Sequence, residues 1–211
     1  MKRLVGLLMT VIMVLSLVGC GNMGDIELEP GDNGIYINGD GSVVYGASEK
    51  FKEDYYDKDE LEKEIDAEVE KFNNSDYASV EDAASVSDVD IDSESAKVVL
   101  EFLTTYDFMN YGLHFNNFDR SKFYIGAVED NDDIVLEGDF IKAGTDKKEK
   151  EKAEVVEESD GYLLVVSGPY RVQVDGEVKY YSDNCTMDED NVITTANKED
   201  ELSYIVYTIE D

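Results

Sequence analysis

The chain has 211 residues, of which 50 are Asp or Glu and 18 are Lys or Arg, for a formal net charge of −32. That balance excludes nucleic-acid binding, because affinity for a phosphate backbone rests on clustered Lys and Arg that release counterions. It also opposes adsorption of the folded part to anionic lipid.

An acidic chain of this kind could be disordered, but 14 Tyr and 8 Phe supply the apolar content of a core. At this length one core can bury about 70 % of the surface, so a single globular domain with an unstructured part is expected. Two Cys cannot frame a disulfide network, and one His leaves no His-rich metal site.

Met1-Lys2-Arg3 is a short basic start, Leu4–Val18 is an apolar run, and Gly19-Cys20 sets a small residue before a cleavage point. This is the layout of a secretory signal. The run is short for a membrane-spanning helix, which needs about 20 residues. Leu17-Val18-Gly19-Cys20 resembles the lipobox of bacterial lipoproteins. The resemblance implies diacylglycerol on the Cys20 sulfur and cleavage between Gly19 and Cys20. The chemistry agrees, since a thiolate is the nucleophile that can take a lipid as a thioether. The alternative is an uncleaved signal anchor with an unmodified Cys20. Two acyl chains, at about 0.8 kcal/mol per buried CH₂, anchor stably where one does not.

Three parts follow: a signal peptide over residues 1–19, a flexible lipid-anchored tether over 20–33, and a single acidic α+β domain over 34–211. Gly21, Gly24, Pro30 and Gly31 mark the tether. Loss of residues 1–19 removes Lys2 and Arg3 and no acid, leaving 50 acids against 16 bases, or −34. The acids are spread along the whole domain, so they mark no site and read as a repulsive, soluble coat.

Three Asp-Gly pairs punctuate strand-like runs and read as type I′ hairpin turns. Asp40-Gly41 separates Ile35–Ile37 from Val43–Tyr45, Asp160-Gly161 separates Ala153–Val156 from Tyr162–Val166, and Asp175-Gly176 separates Tyr170–Val174 from Val178–Tyr181. A fourth hairpin joins Phe123–Val128 to Ile134–Ile141 through Asn131-Asp132. Further strands are expected at Ser87–Ile91, Lys97–Leu103, Val192–Thr195 and Ser203–Ile209.

Leu61, Ile65, Val69 and Phe72 recur at helical spacing, so Asp57–Asn74 is expected to be one long amphipathic helix, capped by Asp57 with Glu60. A shorter helix over Thr105–Tyr111 has Thr104 and Asp107 as its capping box and Gly112 as a C-cap candidate. Lys147–Lys152 is a solvated loop or hairpin end. The expected fold class is α+β: a mostly antiparallel sheet built from hairpins, with one long and one short helix.

Catalytic signals are thin. His114, in Leu113-His114-Phe115, reads as a packed or surface residue, and Cys185 reads as a buried structural thiol. Ser182-Asp183-Asn184 echoes one element of the penicillin-recognising enzymes, but the Ser-x-x-Lys and Lys-Thr-Gly elements are missing. Asp88-x-Asp90-x-Asp92 has the spacing of the first three EF-hand ligands, yet Ser93 and Val99 stand where Gly and Glu are needed. Asp130–Asp133 and Asp188-Glu189-Asp190 read as acidic turns. No phosphate loop or dinucleotide fingerprint occurs, and no cofactor or metal is expected. The doublets Tyr55-Tyr56 and Tyr180-Tyr181 read as sheet decoration, with a glycan- or peptide-binding pair as the alternative.

The stretch from Ile35 through Asp54-Tyr55-Tyr56-Asp57 to Phe72-Asn73, with Phe123-Tyr124-Ile125-Gly126 and Val178–Asn184, resembles lipobox lipoproteins of Gram-positive gut bacteria that carry no assigned activity. The resemblance transfers no site residue. The expected protein is a non-catalytic binding or envelope-accessory lipoprotein on the outer face of the cell membrane. It is held there through lipid on Cys20, with a protein or envelope ligand as partner and no nucleic acid. The rivals are a carboxylate-based hydrolase, a cation-binding surface protein, and a transporter's substrate-binding component.

Overall fold

The computed structural model describes residues 23–50, 57–92, 95–132, 134–144, 150–198 and 200–209. The signal peptide, Gly19, Cys20 and the Tyr55-Tyr56 doublet lie outside the described residues. So do Ser93, Asp133 and the first part of the Lys147–Lys152 loop.

In chain order the elements begin with strands β1 (Asn33–Ile37) and β2 (Val43–Lys50), helix α1 (Lys58–Asn73), strands β3 (Ala84–Ile91) and β4 (Ser95–Phe102), and helix α2 (Thr105–His114). Next come β5 (Tyr124–Ala127), β6 (Asp139–Lys142), β7 (Lys150–Lys152), helix α3 (Ala153–Glu157) and β8 (Tyr162–Ser167). Last are β9 (Arg171–Val174), β10 (Glu177–Ser182), β11 (Thr186–Met187), β12 (Ile193–Thr194) and β13 (Leu202–Thr208).

The strands form two sheets, one in the order β11-β12-β9-β1-β2-β4-β3 and the other β5-β8-β13-β10-β6-β7. β1 and β9 pair parallel, so the first sheet is mixed. The expected α+β class on a mostly antiparallel sheet is therefore corrected: the described chain is mostly β, a pair of packed sheets with three short helices. The reason is legible in β8 and β13. Leu163–Val166 and Ser203–Tyr207 are buried at every position, so neither strand can have one wet face. One side of each meets the inter-sheet core, where Leu164, Val166, Ile205 and Tyr207 pack with Ile35, Ile37, Leu100 and Val172 of the first sheet. The other side meets a second cluster in which Val128, Ile134, Leu136 and Val156 cover Leu163, Val165 and Val206. Full burial of each such aliphatic side chain stabilises by about 1.5–3 kcal/mol.

The long amphipathic helix is also corrected. α1 has 16 residues and buries only Val69 and Phe72, while Leu61 and Ile65 stay half-exposed. Acids at Glu60, Glu62, Glu64, Asp66, Glu68 and Glu70 leave it a narrow apolar stripe. Asp57 does cap it, accepting from the Glu60 N–H at 3.1 Å. In α2 the capping box forms as read, with Thr104 Oγ1 accepting from the Asp107 N–H at 3.1 Å and donating to its carboxylate at 2.6 Å. Gly112 is inside that helix and is not its cap. A Cβ there would lie 2.4 Å from the Phe118 ring, so close packing of the following loop, not chain reversal, requires the glycine.

Of the Asp-Gly pairs, only Asp40-Gly41 closes a hairpin, between β1 and β2, with Gly41 at φ +83°. Ala153–Glu157 is helical, so Asp160-Gly161 joins a helix to β8. Asp175-Gly176 carries the chain from β9 in one sheet to β10 in the other. The proposed fourth hairpin does not form either, since β5 pairs with β8 and β6 pairs with β10 and β7. Residues 20–33, expected as a flexible tether, are docked in their described part: from Met23 onward the segment lies on the outer face of the first sheet. There Met23 and Ile26 are buried with Val44, Val99 and Val192.

Candidate binding groove

Two turns meet at one end of the first sheet. β1 and β9 run parallel with Ile37 opposite Val174, so Asn38–Gly41 and Asp175–Gly176 leave the sheet side by side. The Asp175 N–H donates to the Ile37 carbonyl at 2.8 Å, and a Cβ on Gly39 would lie 3.3 Å from Asp175 Oδ2. β2 and β4 set Glu101 and Phe102 opposite Val44 and Val43. Asp82, in the left-handed region at φ +59°, precedes β3. These residues enclose an open groove of about 600 Å³, lined by Asn38, Asp40, Ser42, Asp82, Glu101, Leu103 and Asp175 among others. A second hollow of about 610 Å³ shares Gly39 and Asp175 and reaches Glu177 and Thr208.

The groove is rich in acceptors. The Ser42 hydroxyl and N–H donate to Asp40 Oδ1 at 2.7 and 3.0 Å, and the hydroxyl's bond is the main reason that the Asp40 carboxyl sits below its usual range. Asp40 is therefore ionised and poorly suited to general-acid work, which needs a proton to give near neutral pH. The Ser87 hydroxyl donates to Glu101 at 3.1 Å. Leu103, 54 % exposed, supplies an apolar rim. The chemistry is that of a site for a ligand with hydrogen-bond donors or positive charge.

The residues singled out in the sequence lie elsewhere. Cys20 and Gly19, the lipidation and cleavage positions, fall outside the described residues. The His114 ring stacks on Tyr77 with centroids 3.7 Å apart. Cys185 is buried among Ser182 and Asn184, and burial pushes its thiol up, away from the thiolate that nucleophilic chemistry needs. The structure does not bring His114 and Cys185 together. Ser182 and Asn184 bond each other and the β13 backbone, through the Tyr204 N–H and the Leu202 carbonyl.

Asp88 and Asp90 lie on β3, a strand and not a calcium loop. Asp88 pairs with Lys97 at 2.8 Å, and Asp92 accepts from the Ser95 N–H. Asp188 closes the turn before β12. Tyr181 is buried and Tyr180 half-buried. Among the described residues, no group of three or more His, Cys, Asp or Glu could hold a metal ion.

Two features escaped the sequence. The groove depends on the parallel pairing of β1 with β9, more than a hundred residues apart, which no local pattern signals. The other is Gln173. Its amide accepts from the Asp25 N–H at 2.7 Å and donates to the Asp25 carboxylate and the Asp190 carbonyl at 2.8 and 2.9 Å. A polar residue between Val172 and Val174 was the available signal.

No protein-family model matches the chain, and neither does any curated protein or any solved structure. Among the described residues, no helix is long and apolar enough to cross a membrane.

Proposed function

We propose that this is a non-catalytic lipoprotein, anchored through lipid on Cys20 to the outer face of the cell membrane, that presents the acidic groove to a partner. One observation carries the reading: Leu17-Val18-Gly19-Cys20 closes a basic-then-apolar leader. Met23 is already packed on the sheet three residues later, which agrees with a domain that starts directly after its anchor. The spread of acid over the domain suits a soluble body held by lipid and not by its own electrostatics.

Detergent-phase partitioning of the expressed protein tests the anchor. The native chain enters the detergent phase, and Cys20→Ala moves to the aqueous phase. A fully membrane-bound Cys20→Ala protein would show an uncleaved signal anchor instead.

A further inference from the structure

We infer that the anchored domain rests with the outer face of its seven-stranded sheet toward the bilayer, at a standoff set by the docked segment Met23–Leu28. The inference rests on the lipid anchor proposed above.

Three peptide units separate Cys20 from Met23, and consecutive Cα atoms are about 3.8 Å apart, so the two Cα atoms lie at most about 11 Å from each other. Met23 is not free to add to that reach. It is 8 % exposed, packed with Ile26, Val44 and Val99 on the outer face of the sheet. Gly34 and Gly46 make the floor beneath it: a Cβ on either would approach the Met23 side chain within 2.7 Å. Gln173 clasps the next turn by bonding Asp25 through both its amide groups.

A folded body of this size has a radius of gyration of about 16 Å. A surface point held within about 11 Å of the lipidated residue, a reach shorter than the radius of the body, turns its own face to the membrane. The opposite side is the layer that covers the second sheet, including α3. It lies beyond both sheets, which pack about 10 Å apart.

The facing surface is acidic, with Asp25, Glu27 and Glu29 exposed. Charge gives this face no attraction to headgroups, so the short link to Cys20 and not electrostatics brings it to the membrane. Were the segment released, residues 23–32 would become added tether and the preferred face would be lost.

The test uses the full lipidated protein on phosphatidylcholine vesicles that carry a headgroup-nitroxide lipid. Single fluorophores are placed at Glu189→Cys, in the turn bonded by Gln173, and at Val155→Cys on α3, each in a Cys185→Ser background. Quenching at least threefold greater at position 189 than at 155 is expected, and Gly46→Val should bring the two close to equality. Equal quenching of vesicle-bound protein with the native Gly46 would overturn the orientation. An unchanged contrast in Gly46→Val would overturn the role of docking. Failure of the protein to bind vesicles at all would overturn the anchor, and the inference with it.

Discussion

Gly34 and Gly46 face each other across the β1–β2 ladder, and both lie beneath Met23 and Leu28. A Cβ on Gly46 would come 2.5 Å from Leu28 Cδ1 and 2.6 Å from Met23 Sδ. The pair thus works as a shallow trough that lets a chain segment lie on the sheet. Because the crowding atoms are the ends of flexible side chains, a single methyl can be accommodated, whereas a β-branched side chain fills the trough. Gly46→Val should lower stability by about 1–3 kcal/mol. Hydrogen exchange should show lost protection concentrated at the N–H groups of Asp25 and Ile26, with the inter-sheet core unchanged. Uniform loss of protection across both sheets would contradict the trough.

Asp107 ties α2 to the loop after α1. It is 0 % exposed, and its carboxylate accepts from the Ser79 N–H and hydroxyl at 2.8 and 2.9 Å and from Thr104 Oγ1. Replacement by Ala removes the acceptor of three hydrogen bonds that hold this loop to the helix, while the exposed Ser79 and Thr104 can turn to water. Asp107→Ala should cost about 1–3 kcal/mol, from two or three such bonds at about 0.5–1.5 kcal/mol each, read as a lower midpoint in urea at constant slope. An unaltered midpoint would show that the Ser79 loop finds other partners.

Tyr207 carries the opposite expectation. Its ring is wholly buried and stacks on Tyr162 at 5.6 Å, but its hydroxyl has no hydrogen-bond partner among the described residues. Removing an unsatisfied buried hydroxyl while keeping the ring relieves a desolvation cost. Tyr207→Phe should be more stable than the native chain by about 1 kcal/mol in thermal unfolding, and a destabilised variant would reveal a partner for the hydroxyl.

Buried phenols also set the alkaline limit. Burial pushes the Tyr170 hydroxyl from its ordinary value near 10 up to about 12, and raises Tyr45 and Tyr207 further. Above pH 10 the unfolded chain loses these protons while the folded chain keeps them, so the folded state binds more protons and stability falls as pH rises. Stability should be constant in this respect below pH 10. Above it, Tyr45 and Tyr207 should each contribute a decline of about 1.4 kcal/mol per pH unit. The tyrosinate absorbance of the buried rings should appear only with loss of structure above pH 10, whereas full ionisation of a still folded protein would contradict the burial of these rings.

Local signals were readable and long-range ones were not. The caps at Asp57 and Thr104 and the Asp40-Gly41 hairpin follow from residue type and spacing, as do the strands expected at Ser87–Ile91, Lys97–Leu103 and Ser203–Ile209, which form over Ala84–Ile91, Ser95–Phe102 and Leu202–Thr208. The expected class fails partly because Asp175-Gly176 has the residues of a hairpin turn and instead passes between sheets. Continuous apolar runs at Leu163–Val166 and Ile205–Tyr207 were the cue that both faces of those strands are covered. Ala153-Glu154-Val155-Val156-Glu157 could be read either way, and its Ala and Glu favoured the helix. The groove was illegible for a topological reason: each of its two turns is ordinary alone, and only the β1–β9 pairing sets them together.

Whether Cys20 carries the anchor is read from the mass of the N-terminal peptide of the membrane-extracted protein. The expected peptide begins at Cys20 and carries the added mass of a diacylglyceryl thioether. A peptide that begins at Met1, or an unmodified Cys20, would rule the anchor out.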